Sequence, residues 1–337
     1  MMLERDFMKS AAALAVRSVG QAVDLVSGGR SCFFTFHRVA STERWEALPN
    51  RNFYLDLTFL DQLLAYLKES GWDVVTIAQA MALENDAARG RRFVNFSIDD
   101  CYRDTYEEVV PLFRKHGVPV TLFVSTGIPD GTMPLWGAGL EDYILNHGSI
   151  TIDGRRFETD TPEKKRSAYL EIEALWDGPK AGEHYHRFCI ENGIDDAAMH
   201  EKHAISWAML EELAADPLVE IGSHTVNHPR ISSLTVDDAF FELNQSKLRL
   251  EERLKIDARY FAFPYGRAAD CSIRDFDIAR RAGYAGVATT RKGLVGKGQR
   301  PYNFPRNTLN GSHRSVLHAE LHLSGMTGLA ARLIGRV

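Results

Sequence analysis

Long apolar runs, paired cysteines and an excess of basic charge are all missing from this 337-residue sequence, and each absence removes a class of function. Its four cysteines, Cys32, Cys101, Cys189 and Cys271, show no CxxC pairing, so neither a disulfide framework nor a cysteine-based zinc motif is indicated. They read as reduced thiols, and a cytoplasmic setting is the simplest expectation. Lys and Arg number 40 against 45 Asp and Glu, for a formal net charge of −5. With a pI near 6.2 the chain has no basic footprint for nucleic acid, and its acidity disfavours a strongly acidic polymer as partner. The apolar stretch within residues 8–17 is too short to span a bilayer, is interrupted by Arg17 and follows Glu4 and Asp6, so a secretory leader is not expected either. No internal repeat or low-complexity segment points to a solenoid or a disordered chain. What is present is a chain 45% hydrophobic and 25% charged, long enough to bury one large core and to carry an inserted subdomain.

Apolar periods of 3.6 alternate with short β-type runs, which predicts an α/β fold with parallel strands and covering helices. The pattern gives a first helix over about residues 8–27, strand 31–36, helix 57–69, strand 73–76, helix 77–84, strand 92–98, helix 104–116 and strand 119–124. Thr235-Val236-Asp237-Asp238 resembles a capping box and opens a helix to about Leu254, followed by a strand at 259–263 and a helix near 273–282. Residues about 129–205 interrupt the alternation with a hairpin around Asp153-Gly154 and charged helical stretches, an insertion placed to shape access to a site. The organisation expected is therefore an N-terminal helical extension over 1–29, a domain over 30–310 and a C-terminal amphipathic helix within 311–337. That last stretch, Leu321 to Val337, either packs on the domain or touches a membrane surface.

Chemistry concentrates where two of the strands end. Asp99 and Asp100 follow Phe93-Val94-Asn95-Phe96-Ser97-Ile98, and Leu218-Val219-Glu220-Ile221-Gly222 leads into Ser223-His224-Thr225-Val226-Asn227-His228-Pro229. Either pair alone has an ordinary explanation: Asp doublets cap turns, and an HxxxH spacing recurs by chance in a chain with 12 His. Together, each after an apolar run, they stand where open α/β folds place their sites. Two imidazoles and one carboxylate hold a divalent metal with positions left for water and substrate, while the second carboxylate can take the proton from that water. The combination reads as a hydrolytic metal site.

The same residues carry a family resemblance. Phe96-Ser97-Ile98-Asp99-Asp100-Cys101-Tyr102-Arg103-Asp104, the run Gly117 to Val124, the 223–229 segment and Phe263-Pro264-Tyr265-Gly266 resemble the successive motifs of polysaccharide deacetylases, the NodB homology domain or carbohydrate esterase family 4. The likeness covers roughly residues 30–310 and is specific for the family rather than for a substrate. It implies a distorted (β/α) barrel with an inserted α+β segment, and removal of N-acetyl groups from an amino-sugar polysaccharide or glycoconjugate. By the same resemblance Asp99 is the general base, Asp100 a metal ligand, and His224 and His228 complete the metal site. In a rearranged subgroup similar to exopolysaccharide deacetylases the strand bearing the catalytic acid comes first. Cys32-Phe33-Phe34-Thr35-Phe36-His37-Arg38-Val39 fits that position and makes His37 the expected acid, with a strand-end His capping a turn as the plain alternative. A backbone N–H near Tyr265 would then stabilise negative charge on the acetyl oxygen.

Two departures from the family pattern stand out. Cys101 replaces the usual Gly after the doublet, and its Cβ narrows the backbone conformations available. Ala262 stands where the family often has an Arg that holds the catalytic Asp; Arg306, in Phe304-Pro305-Arg306-Asn307, is a candidate replacement and Arg103 a second. Tyr265, Trp136 and Arg306 are the expected substrate-side residues, with Trp136 free to be either a sugar platform or an ordinary packing residue. Zinc is the first choice of metal, with cobalt, nickel or iron compatible with the same ligands. The expected partner is an N-acetylated glycan, lipid-linked if the C-terminal stretch meets a membrane, and not nucleic acid. Two alternatives stay open: an amidase on a small cyclic amide, and a metal-retaining glycan-binding protein with weak chemistry.

Overall fold

Along the run from Arg92 to Asp100 the side chains alternate: Val94, Phe96 and Ile98 enter the main apolar cluster, while Asn95, Ser97 and Asp99 share the opposite, equally buried face. A strand buried on both faces belongs in the middle of a parallel sheet covered by helices, and that is its position. In this computed structural model the described residues are 30–85, 91–176, 178, 180–295 and 302–333, together with 16, 18–20 and 22.

The strands in chain order are β1 (Arg30–Phe36), β2 (Arg38–Ala40), β3 (Tyr54–Asp56), β4 (Asp73–Val74), β5 (Arg92–Asp100), β6 (Val120–Val124), β7 (Ser149–Ile152), β8 (Arg155–Glu158), β9 (Val219–Ser223), β10 (Tyr260–Ala262), β11 (Gly286–Ala288) and β12 (Asn307–Thr308). Eight of them form one parallel sheet in the order β11-β10-β9-β6-β5-β1-β12, with β4 pairing the start of β5. Its register sets Asp99 opposite Phe123 and Phe123 opposite Gly222. Gly222 has a packing reason to lack a side chain, because a Cβ there would stand 2.8 Å from the Phe123 ring and 2.7 Å from the Tyr260 carbonyl oxygen. Residues 304–308 reach between the edges of the curled sheet. The Phe304 N–H donates to the Val287 carbonyl in β11, and Phe34 and Thr35 of β1 pair with Asn307 and Thr308. The parallel strands expected from the alternation and the distorted (β/α) barrel implied by the family resemblance are therefore present.

Helix Leu57–Glu69 has the bounds expected of it, capped by Asp56, whose carboxylate accepts from the Phe59 N–H. Helix Val236–Leu254 is capped by Thr235, which accepts from the Asp238 N–H. Asp153 and Gly154 take left-handed φ values of 49° and 76°, the turn a two-residue Asp-Gly hairpin requires. The inserted region builds helices Trp136–Asn146, Pro162–Trp176 and Ala181–Asn192 around its own apolar cluster, which includes Leu140, Ile144, Phe157, Tyr169, Ile172 and Phe188, and continues into helix Asp196–His203.

Two expectations need correcting. The stretch after Asp104 is not one α-helix: a π-helical turn, Thr105–Val109, precedes the α-helix Val110–His116, a local adjustment common beside functional sites. The C-terminal stretch is two helices, Val316–Leu323 and Met326–Leu333, because Gly325 turns left-handed at φ 78° between them. The first buries Ala319 and Leu323 in the main apolar cluster. The helix expected over 8–27 lies largely outside the described residues, although 16, 18–20 and 22 are helical.

Candidate functional site

Strand β5 ends in an abrupt change of backbone hand. Asp100 and Cys101 both take left-handed φ, 66° and 67°, a region that disfavours residues with a Cβ and that turns Asp100 away from the strand's alternation. Thr225, His228 and Tyr265 do the same at 72°, 55° and 62°. Such conformations cost of order 1 kcal/mol or more each and persist where surrounding contacts over-determine them. Cys101 thus adopts the conformation for which a glycine is the usual solution, and the departure read in the sequence is absorbed as strain. Its thiol, pushed well above its usual range by burial and then by Asp100, stays protonated and offers no thiolate ligand.

Asp99 remains on the inward face, 2% exposed, and meets Arg306 in a bidentate pair: Nη1 donates to Oδ1 at 2.6 Å and Nη2 to Oδ2 at 2.8 Å. The guanidinium, itself fully buried, also donates to Thr35 Oγ1, Ser97 Oγ and the Thr289 carbonyl. Burial alone would raise the Asp99 carboxyl pKa, but Arg306, then His224 and His37, outweigh it and hold the pKa at about 2. The group is a carboxylate throughout the physiological range. Arg306 thus supplies the arginine pairing to Asp99 that Ala262 cannot. As a substrate-side residue it is corrected, because a side chain with no exposed surface cannot face a ligand. Arg103 is corrected as well: its guanidinium donates to the Glu201 carbonyl and pairs with Glu107, outside the barrel interior.

Three groups converge beside this pair. Asp100 Oδ1 lies 3.2 Å from His228 Nε2 and 3.5 Å from His224 Nε2, and one ligand atom from each residue falls within 4.8 Å of the others. Ligand atoms about 2.0–2.2 Å from a tetrahedral zinc stand roughly 3.3–3.6 Å apart, so the trio has the spacing of a metal face. Asp100 Oδ1 is buried and accepts no hydrogen bond, the orphan a cation would satisfy. The His224 Nδ1–H donates to the Ala262 carbonyl at 2.7 Å, which fixes the tautomer with Nε2 bare toward the trio. Burial lowers the His224 pKa to about 4 against the pull of Asp99, so the ring is neutral, as a ligand must be. The chemistry of the donors, two nitrogens and one carboxylate oxygen, fits a divalent metal.

The segment carrying His228 is held by a residue the motif reading missed. Glu242, on the helix Val236–Leu254, accepts from the backbone N–H of Val226 and of Asn227 through Oε2 and from Asn227 Nδ2 through Oε1, at 2.8–2.9 Å. The His228 N–H donates to Thr225 Oγ1, closing the turn. On the other side Gly127 donates to the Val226 carbonyl at 2.8 Å, and a Cβ on Gly127 would crowd that same oxygen at 2.7 Å. Only the 8% exposure of a glutamate in the second turn of a helix hints at this in retrospect, and burial is not readable from the chain.

A cavity of about 260 Å³ opens over the trio, lined by His37, Asp100, Tyr102, His228 and Tyr265, with Phe53, Tyr54, Trp136, Glu141, Tyr169 and Glu173 among the other walls. His37 follows β1 directly and packs its ring against Phe53 at 4.8 Å between centroids. Trp136 lines the cavity and meets Trp176 edge-on at 6.1 Å. Tyr265 flanks His228 at 5.2 Å.

The family model "Polysaccharide deacetylase" matches residues 179–287. No curated protein sequence matches the chain. Among solved structures, IcaB from Ammonifex degensii superposes with a TM-score of 0.57 at 18% identity, over 89% of this chain and 97% of that one. A de-N-acetylase from Aggregatibacter actinomycetemcomitans gives 0.56 at 14% identity, over 86% and 98%. The Streptococcus pyogenes deacetylase PplD, solved in complex with acetate, gives 0.55 at 16%, over 84% and 92%. At these identities the superpositions establish a shared fold, and with the family match the resemblance read from the motifs stands.

Proposed function

We propose that this relative of the polysaccharide deacetylases is a metal-dependent hydrolase that removes N-acetyl groups from an amino-sugar glycan. The observation that carries the proposal is the convergence of Asp100, His224 and His228 on one point beside the Asp99–Arg306 pair, at the foot of a cavity that also holds His37.

Asp100, His224 and His228 would hold the metal. When bound there, a divalent cation lowers the pKa of water toward about 7 and polarises the acetyl carbonyl. Asp99, ionised by Arg306, receives the proton from the attacking water: both its oxygens accept from Arg306, and each keeps a second lone pair. With a pKa of about 2 it is a weak base, so its charge and fixed position matter more than its proton affinity. His37 delivers a proton to the departing nitrogen, since an amide collapses to an amine only if that nitrogen is protonated. The products are acetate and a free amino group on the sugar.

Zinc remains the first choice within this proposal, the donor set admitting cobalt, nickel or iron. The four buried cysteines, none of them in a disulfide, support a reducing, cytoplasmic setting as part of the same reading. Leu329 and Leu333, 62% and 80% exposed beside Arg332, support a peripheral membrane contact and a lipid-linked substrate; among the described residues no helix is long and apolar enough to cross a membrane.

The test is acetate release from N-acetylglucosamine oligomers by zinc- or cobalt-reconstituted protein, with Asp99→Asn as control. Release that disappears in the control supports the proposal, and tight metal binding without release refutes it in favour of a binding protein.

A further inference from the structure

The walls of the cavity come from three separate parts of the chain, and two of them are tied to each other. The metal-ligand side contributes Asp100, Tyr102, His228 and Tyr265; the segment after β1 contributes His37, Asn50, Phe53 and Tyr54; and the inserted region contributes residues 133–138, Glu141, Tyr169 and Glu173. The second and third meet in a set of directed hydrogen bonds. The Asn50 N–H donates to Glu141 Oε1 at 3.0 Å, Asn50 Nδ2 donates to the Tyr169 hydroxyl at 3.0 Å, and the Tyr54 hydroxyl donates to Glu141 Oε2 at 2.5 Å. Behind them Arg38 donates to the Tyr54 hydroxyl at 2.7 Å and to Asp104 at 2.9 Å, stacked between the rings of Tyr54 and Tyr102. Glu141, Tyr54, Arg38 and Asp104 are each at least nine-tenths buried.

A glycan running through the site would have to part this junction, stranding the buried Glu141 carboxylate without the Tyr54 hydroxyl and the Asn50 N–H, a rearrangement that buried polar and charged groups resist strongly. The junction is an end wall. The space in front of it, about 260 Å³, is below the ~300–1,000 Å³ of pockets that take drug-sized ligands, and suits one pyranose ring with its acetamido group rather than a run of rings. Around it stand the aromatic side chains of Phe53, Tyr102, Trp136 and Tyr265, apolar walls for a single ring. Tyr265, 45% exposed, marks the open side through which the rest of a chain would leave.

We propose, resting on the deacetylase reading, that the inserted region converts the cleft into a blind pocket, so that the enzyme acts on an N-acetylated residue at the end of a glycan and not on internal residues. Turnover is then counted per chain end: lengthening the oligomer adds no further sites. The test uses tetramers of N-acetylglucosamine and of N-acetylgalactosamine tagged at the reducing end, incubated with cobalt-loaded full-length protein and sequenced by tandem mass spectrometry. The expected product carries one free amine, on a terminal residue, and the hexamer yields no more acetate per chain than the tetramer. Free amines on internal residues, or acetate rising with chain length, overturn the end-wall proposal while leaving the deacetylase reading in place. Absence of acetate from every oligomer overturns the deacetylase reading and the proposal with it.

Discussion

Replacing Arg306 with Leu removes one half of a buried, bidentate ion pair and leaves the other half, Asp99, with no cation in direct contact. Breaking such a pair from one side costs about 3–5 kcal/mol, because the remaining charge is neither solvated nor compensated. The sign of the pH dependence sharpens the test. In the wild type the Asp99 pKa is about 2, below its ordinary 3.8, so the stabilisation it brings, about 2 kcal/mol, is complete above pH 4 and lost as pH falls through 2. Without Arg306 the largest remaining influence is burial, which raises the pKa. The variant therefore favours the protonated acid when folded, and its stability falls as pH rises from 4 to 7. Urea denaturation of both proteins without metal, at several pH values in that range, isolates the effect, since groups that titrate alike in both cancel in the difference. The gap should widen with pH, and adding Asp99→Asn to the Arg306→Leu background should close most of it. If Arg306→Leu instead stayed within about 1 kcal/mol of wild type, with a difference flat in pH, the claim that the pair is buried and mutually dependent would be refuted.

Other consequences follow from the same site. His224 has a folded-state pKa of about 4 against an ordinary 6.5, so the unfolded chain takes up its proton first on acidification. Stability is full above pH 6.5 and loses about 3 kcal/mol on descent to 4, a slope that His224→Gln should flatten in urea titrations of metal-free protein. Glu242→Ala should weaken zinc binding about 10- to 100-fold by calorimetry, because the turn bearing His228 loses three hydrogen bonds, whereas Glu242→Gln should retain most affinity once Asn227 flips its amide. Wild-type affinity in the Ala variant would show that the turn holds itself. His224→Ala should abolish metal binding, while His37→Ala should keep it and lose about 10²–10⁴-fold in turnover. Undiminished turnover without His37 would remove it from the mechanism.

Much of this architecture is readable in the chain where local pattern and tertiary demand agree. The run from Phe93 to Asp100 announces a buried strand, and the paired strand-end motifs locate the donors because a parallel sheet delivers strand ends to one rim. Arg306 can be suspected as the replacement for the arginine missing at Ala262, but its choice over Arg103 depends on which side of the barrel each side chain enters, and no spacing rule encodes that. Glu242 and the Glu141–Tyr54 contact join segments 15 and 87 residues apart through side chains that look like ordinary helix and strand polars. The break at Gly325 is hidden because the apolar pattern continues across it, and only the left-handed turn separates the two helices.

The guanidinium that neutralises Asp99 comes from residue 306, whereas the hydroxyls it also binds come from residues 35 and 97. Strands β1 and β5 are synthesised early and can pair while most of the chain is still unmade, yet the interior they begin to enclose holds a carboxylate whose counter-charge arrives 207 residues later. Until 304–308 dock, Asp99 must stay wet or carry a proton, so the last strand works as a latch on the barrel's order of assembly. Refolding that speeds up when the medium is brought to pH 4, and slows in Arg306→Leu at pH 7, is the kinetic signature to look for.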